Sequence, residues 1–166
     1  MIAMRRWLLP VGALVAALPL QAAVVGSEGW SRQTVPGVDV AVGYLTLRNT
    51  GTERRELIKV TAPQVDSVQV HRSSVDAQGV SRMWPVGKLE LLPGEVVKLA
   101  PNGLHLMLTG LKQPLAKGSI VPVTLVFEHE KPITVALRVR GLDEPDAGKP
   151  TADKPMTHHQ GAHTGH

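Results

Sequence analysis

Leu104-His105-Leu106-Met107-Leu108-Thr109 is a strand by its alternation: a leucine stands at every second position, and successive side chains of an extended chain point to opposite faces. Leu104, Leu106 and Leu108 are therefore expected to face a core. His105 and Met107 then share the other face, which the pattern places toward solvent, where an imidazole and a thioether have no packing reason to be neighbours. With no carboxylate or thiolate beside them, they form a soft donor set that favours Cu(I) over Mg, Ca or Mn.

Working outward, between Val24 and Arg140 the histidines are His71, His105 and His129 and the methionines are Met83 and Met107. Four of these five fall between His71 and Met107. His71 closes a second alternating run, Val68-Gln69-Val70-His71, and Met83 follows the turn signal Asp76-Ala77-Gln78-Gly79, so both could converge on the His105 and Met107 pair. The competing reading is a set of unrelated surface and core residues. His129, between two glutamates at a strand end, reads as a solvated turn residue. Trp84 reads as packing and Asn49 as a turn residue.

The order His71, eleven residues, Met83, twenty-one residues, His105-Leu106-Met107 resembles the signature of the periplasmic copper chaperones called PCu(A)C. Tyr44-Leu45-Thr46-Leu47-Arg48-Asn49, Leu91-Leu92-Pro93-Gly94 and Leu111-Lys112-Gln113-Pro114-Leu115 fit the same pattern, so the resemblance spans about Trp30 to Arg140. The family usually has one residue fewer between the first His and the first Met. The added residue falls in the turn around Asp76–Gly79, where insertion is tolerated. The resemblance implies Cu(I) held by His71, Met83, His105 and Met107 in a cupredoxin-like Greek-key sandwich. It also implies a copper-accepting partner, the copper centre of cytochrome c oxidase, reached directly or through a Sco-type thiol protein.

Composition bounds the alternatives. A chain of 166 residues is one domain with appendages. Hydrophobic residues make up 43% but aromatics only 3%, so the core must be aliphatic, and 16 glycines with 13 prolines argue for turns over long helices. The charge of +4 invites nucleic acid, but Arg5 and Arg6 lie in a segment expected to be removed. The remaining basic residues are dispersed, without the stacking aromatics that strand binding needs, which argues against a nucleic-acid partner. Cysteine is absent, which excludes disulfides and a His₂Cys blue-copper centre. No nucleophile motif is present, so an enzyme is not expected.

Residues 1–23 read as a secretory signal and hence as export to the periplasm: Arg5-Arg6, an apolar stretch from Trp7 to Leu20, and the small exit Gln21-Ala22-Ala23, with cleavage after Ala22 or Ala23. Fourteen apolar residues broken by Pro10 and Pro19 are short for a membrane span of about 20 residues. Residues 24–142 read as the domain. From Trp30 onward, runs at Val38–Leu47, Leu57–Thr61, Val65–His71, Ser81–Val86, Glu90–Leu99, Leu104–Thr109, Val121–Phe127 and Ile133–Val139 predict seven to nine strands in an all-β antiparallel sandwich. Residues 143–166 are expected to be a disordered tail. Met156, His158, His159, His163 and His166 in it form a possible second, imidazole-rich site suited to Cu(II). A monomer is expected. The alternative is an exported adhesion or assembly module whose metal binding lies in the tail alone.

Overall fold

The computed structural model describes residues 23–144. These form ten strands and no helix: β1 Val24–Arg32, β2 Val40–Asn49, β3 Arg55–Thr61, β4 Ser67–Val75, β5 Ser81–Pro85, β6 Leu89–Leu91, β7 Val96–Leu99, β8 Leu104–Thr109, β9 Ile120–Phe127 and β10 Ile133–Arg140. The all-β class expected from alternation is what the chain adopts.

Hydrogen bonding runs β4, β8, β2, β1, β10, β9, β3, and β3 returns to β4 through the Val60–Val68 pair. Seven strands thus close into a barrel, a geometry that removes open edges, while β5, β6 and β7 attach to β4, β3 and β2. The expected purely antiparallel arrangement is corrected at one place: β1 and β10 run parallel, in the register Trp30–Arg138 to Arg32–Arg140.

β1 is a strand that the alternation did not predict. Val24 to Gly29 hides its strand character behind two glycines and a bulge between Ser27 and Trp30, where Glu28 has φ 54°. The glycines are needed for close approach. A Cβ on Gly29 would lie 2.4 Å from the Ala136 carbonyl oxygen, and one on Gly26 would lie 2.2 Å from Val135 Cγ2.

The interior is aliphatic. Leu45, Leu47, Leu106, Leu108, Val123, Leu125 and Leu137 are fully buried, with Phe127 as the aromatic member of the core cluster. Each such side chain contributes about 1.5–3 kcal/mol by burial. Trp30 is buried elsewhere, packed against Tyr44 at 4.4 Å between ring centroids with the planes tilted by 36°, and the Arg140 and Arg32 guanidinium groups lie 4.7 and 5.5 Å from its ring. Asn49 is buried rather than a simple turn residue: its Nδ2 donates to the Glu53 and Leu91 carbonyls and its Oδ1 accepts from Gly51 N–H. Pro122 pairs with Ala136 on one side. On its other side it lies beyond the β3 ladder, which ends at Thr124.

Candidate metal centre

Three adjacent strands carry the four candidate residues. In the β4–β8 ladder His71 stands directly opposite His105, and Gln69 opposite Met107. In the β4–β5 hairpin Ser73 stands opposite Met83 and His71 opposite Pro85. Side chains two apart share a face, so His71, Met83, His105 and Met107 all lie on one face of the β5–β4–β8 sheet. The hairpin turn accommodates its length without disturbing this. Asp76 Oδ1 accepts from the N–H groups of Gln78 and Val80, Gly79 N–H donates to the Asp76 carbonyl, and Gly79 adopts φ 80°.

The exposure of the set is graded. Leu104, Leu106 and Leu108 face the core as expected. His105, expected toward solvent, is instead 4% exposed. β8 is flanked on both sides, by His71 of β4 and, one step past the Gly43–Leu106 pair, by Tyr44 of β2. Met107 is half-buried, as is His71, and Met83 is 50% exposed on a strand that is exposed throughout. Trp84, read as packing, is exposed on the opposite face of β5 beside Arg72.

The two imidazoles are each committed at one nitrogen and open at the other. His105 Nδ1 lies 3.0 Å from the Gly103 carbonyl oxygen. A carbonyl only accepts, so Nδ1 carries the proton and Nε2 keeps its lone pair. That Nε2 is buried with no hydrogen-bond partner. His71 Nε2 lies 3.2 Å from Gln69 Oε1, as a donor to it, and His71 Nδ1 is likewise buried without a partner. An unsatisfied buried polar atom costs about 1–3 kcal/mol, and two of them on directly opposed residues of one strand pair point to a ligand. Their ring centroids are 6.0 Å apart. Two imidazoles sharing one ion at metal–nitrogen bonds of about 2 Å place their centroids up to ~6 Å apart, so the spacing suits a bridging ion. Burial, and secondarily the neighbouring His105, lower the His71 pKa and keep its ring neutral and able to ligate. Gln69 and the Gly103 carbonyl, which orient the rings, escaped the sequence reading because neither residue type announces a metal site by itself.

Among the described residues no group of three or more His, Asp or Glu side chains could hold a metal ion, and the other soft side chains on this face of the sheet are Met83 and Met107. His129 is a turn residue as expected, with φ 57° and an exposed ring 3.5 Å from Glu128. Met156, His158, His159, His163 and His166 lie outside the described residues, as does the signal segment through Ala22.

The profile of the family described as LpqE-like lipoproteins matches residues 24–139, the whole barrel. The chain belongs to the LpqE-like family. A Leifsonia xyli subsp. xyli protein named as a lipoprotein, Lxx21020, is 32% identical to this LpqE-like chain over 115 residues, 69% of this chain and 68% of that one. Among solved structures, the apo PCuAC domain of PmoF2 superposes with TM-score 0.61 at 25% identity, covering 75% of this chain and 95% of that one. The copper-bound PCuAC domain of PmoF2 gives 0.60 at 25%, covering 72% and 93%. The Cu(I) form of DR1885 from Deinococcus radiodurans gives 0.54 at 25%, covering 80% and 85%. The barrel of this LpqE-like protein is therefore built like PCuAC domains, copper-bound ones among them.

Proposed function

We propose that this protein is an exported copper chaperone that carries Cu(I) as cargo on the face formed by β5, β4 and β8. The observation that carries the reading is the pair of unpartnered, buried nitrogens, His71 Nδ1 and His105 Nε2, in directly opposed residues. Met107 beside His105 and Met83 across the hairpin supply soft sulfur, which selects Cu(I) and needs no deprotonation. Likeness to copper-bound PCuAC domains supports the same reading, and family members named as lipoproteins support placement in the cell envelope, here the periplasm.

Transfer follows from the gradient of exposure. His105 anchors the ion from beneath, whereas Met83 sits on an exposed strand where an incoming ligand can displace it first. Exchange one ligand at a time keeps the ion from ever being free. The recipient is a copper-accepting protein, for which the copper centre of cytochrome c oxidase or a Sco-type protein is the proposal. Met156, His158, His159, His163 and His166 form a second, Cu(II)-directed site whose tether raises the local copper concentration at the barrel.

The test is an anaerobic Cu(I) titration against a chromophoric chelator, using the full chain, Met107→Ala and a chain lacking residues 155–166. One tight equivalent that survives tail deletion and weakens at least about tenfold in Met107→Ala is expected. Copper binding that disappears with the tail and is indifferent to Met107 would instead favour the assembly-module reading.

A further inference from the structure

Ala23, the residue just ahead of β1, is held in the barrel at both ends of its backbone. Its N–H donates to Glu130 Oε1. Its carbonyl accepts from Thr50 N–H at 2.6 Å and from Thr50 Oγ at 2.8 Å. Glu130 is a buried carboxylate, its side chain 7% exposed, and its other oxygen accepts from Arg55 Nε at 2.7 Å. Arg55 is shared: its second branch pairs with Glu53 at 2.8 Å. Two carboxylates, Glu53 and Glu130, thus share the Arg55 guanidinium, and among the described residues the remaining partner of Glu130 is a neutral amide. Around this cluster, Arg54 pairs with Glu90, Lys131 is exposed, and the exposed His129 lies against Glu128.

We infer that the Ala22–Ala23 bond is the processing site and that the freed α-ammonium of Ala23 docks on Glu130 as the cluster's second cation. The inference rests on the export reading above. In the step itself a signal peptidase adds water across the peptide bond. The new carboxylate leaves with the segment ending at Ala22, and the Ala23 nitrogen takes a proton to become an ammonium. The amide that occupies the site before cleavage is neutral, so cleavage itself places a second positive charge beside Glu130. Cleavage after Ala23 would remove all three hydrogen bonds and place the new charge one residue away from Glu130. Sequence alone leaves both bonds open; the Glu130 and Thr50 contacts choose between them. This contact ties the mature terminus to the barrel.

Two measurements on the chain exported from the full precursor test this. Intact mass should show a mature protein starting at Ala23, and a ¹⁵N-detected titration should place the Ala23 α-amine at least about one unit above the ordinary 7.7–8.0. Glu130→Gln should return that value to the ordinary range and lower Tm. The same substitution should lower Tm less in a chain carrying Gly-Ser ahead of Ala23, which has no ammonium at that place. Maturation at Val24 or elsewhere, an unshifted amine, or equal loss in both chains would overturn the inference. An uncleaved exported chain would overturn the export reading with it, whereas cleavage at another bond overturns the processing site alone.

Discussion

Gln69 is the residue whose role is least visible in its type and most specific in its placement. It holds His71 by Nε2 and so leaves Nδ1 without a partner. Gln69→Ala should therefore weaken Cu(I) binding about 10-fold or more without removing a ligand, measured by chelator competition, while Thr109→Ala on the same ladder should not. His71 also makes the copper-free barrel pH-sensitive. Burial and the neighbouring His105 set its folded pKa below 6.5, so the unfolded chain takes up this proton first as pH falls. Stability of the copper-free form should decline as pH drops through about 6.5 toward the lower folded value, and be restored above it. Urea midpoints across that range should lose this slope in His71→Asn.

The β4–β5 hairpin and β1 show opposite tolerances. The Asp76–Val80 turn is exposed and capped by its own aspartate, while the face on which Met83 lies is set by the Ser73–Met83 pair rather than by loop length. Deleting Ala77 should thus keep Cu(I) affinity within about threefold by the same competition assay. β1 has no such slack. A methyl group on Gly29 would meet the Ala136 carbonyl oxygen on the parallel partner strand, so Gly29→Ala should destabilise by about 1–3 kcal/mol in urea unfolding. The hairpin turn and the β8 strand were legible in the sequence because turn residues and period-two leucines act locally. β1 was not, because its glycines answer to β10, more than a hundred residues away.

For the molecule as a whole, the proposed metal centre joins the β4–β5 hairpin to β8, which chain order separates but the barrel makes a neighbour, so copper bound there should resist global unfolding. A ligand that binds only the folded state at about 100 times its Kd adds ~2.7 kcal/mol, equivalent to a rise in Tm of about 10 °C for a domain of this size. Anaerobic calorimetry with and without one equivalent of Cu(I) should show the rise, and a strong Cu(I) chelator should reverse it. The sequence by itself determined the all-β class, the aliphatic core and the four candidate ligands, because alternation and residue chemistry are properties of short stretches. Tertiary structure alone decided that the strands close into a barrel with one parallel pair. It also decided that His105 is buried rather than exposed, that Gln69 and the Gly103 carbonyl orient the two rings, and that Ala23 meets Glu130. Each of these depends on which distant strands become neighbours, and that is settled only when the whole chain packs.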